Sequence, residues 1–162
     1  MALPEINTIL YTSSLSEHTR PVFRQAVRQA LANDAKILML HVVEPMGEMG
    51  QALIQNYLPN DLVKKVHDEG IDQIKQLMRE RVSKFCEEEL STLDPRPELD
   101  IEIIVEEGNH TDQILNVAKR QQVDLIVMGN ENRFGHHSPT THQVTRHAKV
   151  PVLAVPTGKQ YV

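Results

Sequence analysis

The sequence predicts an α/β fold: a Rossmann-like, five-stranded parallel sheet with helices on both faces. Three observations predict it. Five short apolar runs alternate with amphipathic stretches of helical period. Two of those runs, Lys36 to Val43 and Val123 to Met128, are apolar almost without interruption, as strands buried on both faces must be. The length, 162 residues, suits a single domain large enough to bury its own core without metal or disulfide.

Each element has its own signal. Ile6 to Thr12 is short and β-branched between Pro4 and the polar run Ser13, Ser14 and Ser16, and reads as a buried strand. Pro21 suits the first turn of a helix. Val22, Phe23, Ala26, Val27, Ala30 and Leu31 then recur at helical spacing until Asn33 and Asp34. Lys36 to Val43 is the second strand. Glu44 to Asn60 is irregular, with Pro45, Gly47, Gly50 and Pro59, and allows a short helix at Ala52 to Tyr57. Its glycines and scarce apolar anchors make it the segment expected to exchange amide protons fastest.

A long amphipathic helix is expected from Asp61 to about Leu90, with Gly70 as a candidate kink and Leu62, Val66, Ile71, Ile74, Met78, Val82 and Phe85 as its stripe. Asp94-Pro95-Arg96-Pro97 breaks the chain. Leu99 to Val105 alternates at first, as a strand near a sheet edge with one wet face does. Thr111 to Gln121 is a helix and Val123 to Met128 a buried strand. A polar loop from Asn130 to Pro139, a short helix to Ala148 and a last strand, Pro151 to Val155, complete the order.

Composition narrows the function. Apolar residues make up 40% and charged residues 24%, which argues against wholesale disorder. With 22 acidic against 17 basic residues the net charge is -5, which disfavours nucleic acid as a partner, because duplex binding needs clustered Lys and Arg. The single cysteine, Cys86, permits no internal disulfide and suits a reducing compartment. No stretch approaches the ~20 apolar residues of a spanning helix, and MALPEINTIL has no basic start before an apolar run. The expectation is a cytoplasmic protein that does not insert into membranes.

In an open parallel sheet, ligands bind beyond the carboxyl ends of the strands, where strand order reverses. Gly129 and Gly135 bracket a polar loop that opens towards a helix. Amides freed by glycine beside a helix N-terminus form an anion site; the same glycines also serve an ordinary turn.

Several stretches together resemble the universal stress protein family over nearly the whole chain. They are Ile9-Leu10-Tyr11 with Leu15-Ser16-Glu17-His18, then Leu40-His41-Val42 and Glu107-Gly108. The more specific ones are Asp124-Leu125-Ile126-Val127-Met128-Gly129, Arg133 and Gly135, and Arg146-His147-Ala148 with Pro151-Val152-Leu153. The resemblance implies one domain over residues 1–162, a doubly wound sheet in the order 3-2-1-4-5, and a homodimer formed through the Pro151–Val155 edge strand. An apolar exposed edge is itself a pairing hazard unless covered.

The ATP-binding branch of that family uses an Asp after the first strand. It also uses a Gly-x-x-Gly loop followed, after a spacer, by Gly and then Ser or Thr. Here Ser14 stands where the Asp belongs, Asn132 replaces the second glycine, and Ser138-Pro139 is the nearest equivalent of the last pair, in a shortened loop. Serine bonds a hydroxyl more weakly than a carboxylate does. Asparagine fills space that a phosphate needs, and proline has no N–H to give.

The implied nucleotide-site residues are therefore Tyr11, Ser14, Val42, Met128, Gly129, Asn132, Gly135 and Ser138. The implied function is a non-enzymatic stress-response binding protein acting on an unidentified protein partner. It would have no resident cofactor and weak or no ATP or AMP binding. The alternative is a nucleotide-binding switch or slow ATPase of the same family.

The other candidates favour bland readings. His136, His137, His142 and His147 fall close together, but the spacing of His142 and His147 suits one helix face poorly, so a polar loop is expected rather than a metal site. Cys86 follows Phe85 on a core-facing helix and reads as an inert buried thiol. Ser13-Ser14 lacks the surroundings of a nucleophile. Glu106 and Glu107 read as a wet strand end without partners rather than an acid/base pair.

Overall fold

The computed structural model describes residues 2–12, 19–44, 60–130 and 138–157, the side chains of 60–67 excepted. The element order is β1 (Thr8–Thr12), α1 (Arg20–Asn33), β2 (Lys36–Val43), α2 (Asn60–Ser91), β3 (Ile101–Glu107), α3 (His110–Arg120), β4 (Leu125–Gly129), α4 (Pro139–His147) and β5 (Val152–Val155). The five strands form one sheet in the order β3-β2-β1-β4-β5, with every pairing parallel. The expected fold and strand order are those observed. The segment expected to exchange fastest and the short helix suggested within it lie outside the described residues, apart from the flanking Glu44 and Asn60.

Side-chain parity builds two cores. Ile9 and Tyr11, Ile37 and Met39, and Leu125 and Val127 face one side of the sheet, with Val22, Phe23, Ala26, Val27 and Ala30 of α1 and Val82, Cys86 and Leu90 of α2. Leu10, Leu38, Leu40, Val42, Ile126 and Met128 face the other, with Ile114 and Val117 of α3 and Val144 of α4. The central strands are apolar at consecutive positions because both of their faces are covered. Tyr11, Phe23 and Phe85 stack edge to face in series, each pair of ring centroids 5.7 Å apart. That chain of rings ties β1, α1 and α2 together.

Element ends differ from the sequence reading for identifiable reasons. Asn7 and Thr8 donate their N–H groups to Asp124 Oδ2, at 2.8 and 3.0 Å, and β1 begins only at Thr8. Val123 N donates to Ala118 O and closes α3, while Asp124 N reaches Thr8 O, so β4 begins at Leu125. β3 runs on through Glu106 and Glu107, which pair with Val42 and Val43. The reading of those two glutamates as a partnerless wet end is thereby corrected: both are in the strand, and Glu106 is bonded by Arg120 Nη2 at 3.1 Å. α2 is one continuous helix through Gly70.

Asp124 holds the amino end of the central strand from a position far along the chain. Its carboxylate accepts two N–H groups that no strand neighbour satisfies. Replacing it by alanine is expected to destabilise the protein by about 2 kcal/mol, since charge-assisted bonds contribute more than neutral ones and this site is partly exposed. Urea denaturation would show a lower midpoint with an unchanged slope.

Candidate functional site

The order β3-β2-β1-β4-β5 reverses between β1 and β4, and the carboxyl ends of those strands are where open α/β sheets bind ligands. Val42 and Met128 stand near the ends of β2 and β4 with their side chains on the same face of the sheet, both buried in the α3/α4 core. Tyr11 belongs to the opposite face: its ring is buried against Phe23. The structure therefore separates its side chain from the other two, and leaves only the strand backbone near the crevice. Ser14, Asn132 and Gly135 lie outside the described residues.

The junction of β4 with α4 is held from both sides. Ser138 N donates to Asn130 O at 3.0 Å, Asn130 N donates to Val155 O at 3.0 Å, and the Thr141 hydroxyl donates to Gly129 O. A side chain at position 129 would place its Cβ 2.8 Å from Thr157 Cγ2 and 3.4 Å from Val22 Cγ2. Gly129 is thus a glycine for packing reasons already, because the chain leaving β5 passes against it.

The first turn of α4 has few donors to offer a ligand. Ser138 is its N-cap, and the Ser138 Oγ accepts from Thr141 N at 3.2 Å. His142 N donates to Ser138 O at 3.2 Å, and Pro139, in the first turn, has no N–H. Thr140 is the one residue of the turn whose N–H is not engaged within it. Nearby, Asn130 Oδ1 is buried without a hydrogen-bond donor, and an added acceptor at this place opposes a phosphate. Sequence reasoning missed both Thr141 and Asn130. The Ser-Pro-x-Thr run is a recognisable capped helix start, whereas the orphaned amide oxygen had no signal.

Other groups around the carboxyl ends are paired. His110, the first residue of α3, has Nδ1 2.9 Å from Glu44 Oε1, which links that helix to the residue following β2. The α3 N-terminus is capped by Asn109, whose side chain accepts from Asp112 N. His142 and His147 lie in α4; His136 and His137 lie outside the described residues. Cys86 is 6% exposed. Burial, helped by the charge of Glu87, pushes its thiol up to about 11, so little thiolate exists at neutral pH.

The universal stress protein family model matches residues 5–156. Compared by sequence with curated proteins, the chain has no match. Solved structures share the fold. The hypothetical protein MJ0577 is 18% identical, with a TM-score of 0.68, the alignment covering 96% of this chain and 99% of that one. Universal stress protein UspA from Lactobacillus plantarum is 22% identical, with a TM-score of 0.66 over 94% of this chain and 99% of that one. A universal stress protein solved in complex with cAMP is 21% identical, with a TM-score of 0.58 over 96% of this chain and all of that one.

Proposed function

Because the chain belongs to the universal stress protein family, we propose that it is a non-enzymatic stress-response binding protein in which the adenine end of the family's crevice is kept and the phosphate end is lost. The observation that carries this reading is the first turn of α4. Its cap oxygen is spent on Thr141 N, its first position is a proline, and an orphaned acceptor stands beside it. A phosphate needs several converging N–H donors, and this turn supplies one.

Titration calorimetry with ATP, AMP and adenosine tests the reading. All three are expected to bind weakly and within a few-fold of one another, since the phosphates gain little. A low-micromolar ATP constant with adenosine much weaker would instead favour a nucleotide-driven switch. The relative that holds cAMP supports the choice of adenine ligands as probes.

The protein acts as a homodimer through β5. That strand is an edge of the sheet, and Val152 and Leu153 are only half-buried while Ala154 is exposed. Two-fold antiparallel pairing of β5 with its copy would satisfy both edges at once. Analytical ultracentrifugation at micromolar concentration is expected to give twice the 18.4 kDa chain mass. Replacing Ala154 by proline is expected to return it to one chain, or to shift dissociation by at least about tenfold.

A further inference from the structure

We propose that the surface where α3 and α4 end, at the amino ends of β4 and β5, is a docking face for a short acidic segment of a partner protein. Charge in this fold is sorted by element. α1, β4, α4 and β5 contain no Asp or Glu, and the one acid of α3, Asp112, lies in its first turn. The acids are concentrated on α2 and β3, and β3 is the opposite edge of the sheet from β5. Five strands set those edges roughly 19 Å apart, about twice the distance over which physiological salt screens exposed charges. A chain of net charge -5 thus has one side that is locally basic.

The backbone brings the two basic helix ends together. Ile126 N donates to Pro151 O at 3.0 Å and Ile126 stands opposite Val152, so the residues entering β4 and β5 run side by side. Ala118, Ala148 and Val150 pack into one apolar core. Lys119 and Lys149 are their immediate neighbours in the chain, and Arg146 and His147 lie in the last turn of α4. All four are exposed, and among the described residues their side chains make no ion pair and no hydrogen bond. The charges around them are already engaged. Arg120 is held by Glu106 at 3.1 Å. Asp124 accepts from Asn7 N and Thr8 N, and Glu5 accepts from Asn7 Nδ2, so both acids are tied to the start of β1 on the far side of β4 from β5. Lys119, Arg146 and Lys149 are left as three full cations with no carboxylate of their own.

Helix carboxyl ends attract cations, which accounts for Lys119, Arg146 and His147 one at a time. Lys149 lies beyond α4 and has no such role. Three cations on an acidic chain are too few for a nucleic-acid backbone. The exposed large hydrophobic side chains, Leu3, Leu31, Ile74 and Leu77, are all outside α3, α4 and β5, so nothing on this face is built to enter a bilayer. A polypeptide with three or four Asp or Glu within a few residues fits its charge and its size. The Arg146 guanidinium suits a bidentate carboxylate and the two lysines act as point charges beside it. The face lies at the other end of the sheet from the crevice, so its failure would leave the adenine reading untouched.

The test titrates two blocked peptides, Ser-Glu-Glu-Ser-Glu-Glu-Ser and its counterpart with Gln for Glu, against the whole protein by calorimetry. The Glu peptide is expected to bind at least about tenfold tighter at low salt, and to lose that advantage in half-molar salt. Arg146→Gln combined with Lys149→Gln, both at exposed positions, is expected to weaken the Glu peptide about tenfold with the melting curve retained. Arg79→Gln combined with Lys84→Gln makes the same change of charge on α2 and is expected to leave binding within about twofold. Ala154→Pro, which breaks β5 pairing, is expected to leave it within the same range. Equal binding of the two peptides, no binding at millimolar peptide, or equal losses in the two double variants would overturn the proposal. So would loss of binding in Ala154→Pro, which would make the face a product of the second copy. Capture by phosphatidylserine vesicles that Arg146→Gln with Lys149→Gln abolishes would overturn it too, by assigning the face to a membrane.

Discussion

Replacing Arg20 and Arg24 together by alanine is expected to cost about 3–5 kcal/mol of stability, the penalty for stranding a buried charge. The charge is Glu89, whose side chain is 5% exposed. Arg20 Nε stands 2.9 Å from its Oε1 and Arg24 Nε 3.9 Å from its Oε2. The arginines occupy successive turns of α1 and the glutamate lies near the end of α2, so the cluster joins the two helices that cover one face of the sheet. Arg20→Ala alone is expected to lose less, because Arg24 stays within reach. Replacing Glu89 by leucine in the double variant removes the stranded charge and is expected to recover most of the loss, since apolar residues of similar volume substitute well for buried ion pairs. Urea denaturation of the three variants reads this directly. A double variant within about 1 kcal/mol of the natural protein would mean that water already solvates Glu89.

The second large effect is a gain. Changing Ser138 to glycine and Pro139 to serine returns the family's Gly-Ser pair to the start of α4. It frees Thr141 N from its cap, adds the missing N–H and supplies a hydroxyl. Each charge-assisted bond regained is worth ~1.5–3 kcal/mol, so two of them are expected to tighten ATP by at least about a hundredfold. Adenosine, which has no phosphate to use them, is expected to stay within about threefold. The loss of the serine cap costs only a few tenths of a kcal/mol when glycine replaces it. If ATP and adenosine tightened equally, the restored groups would be acting on the fold and not on phosphate. If neither changed, the shortened loop would be limiting.

Most of the fold was legible because its signals are local and redundant. Lys36 to Val43 is a run of apolar residues of strand length, and the structure makes it β2 with the same bounds. Strand order came from the family resemblance carried by Asp124 to Gly129 and by Arg146 to Leu153, since periodicity orders elements along the chain and not across a sheet. What stayed hidden depends on pairs distant in sequence. Nothing near Glu89 announces that it will be buried between two arginines of another helix. Nothing near Asp124 says that its carboxylate will cap β1. Gly129 carries two meanings in the sequence, a turn and a phosphate contact. The structure adds a third, the close approach of Thr157. Of the eight site residues that the resemblance implies, Val42 and Met128 share a face of the sheet. The Tyr11 ring lies across the sheet, and the Ser138 oxygen is turned to its own helix.

The bonds from Asp124 to Asn7 and Thr8 also set a clock. The two ends of that contact are 117 residues apart, and β1 finds its second neighbour, β4, only across the same interval. At ~5–20 residues per second on the ribosome, roughly 6 to 23 seconds pass between the emergence of the first strand and that of its partner. Through that time β1 can pair only with β2, and the central strand of the finished sheet is an open edge. The nascent chain is therefore most vulnerable to wrong pairing along the line that the mature protein covers best, and a chaperone that shields Ile9, Leu10 and Tyr11 would act where the fold itself acts last.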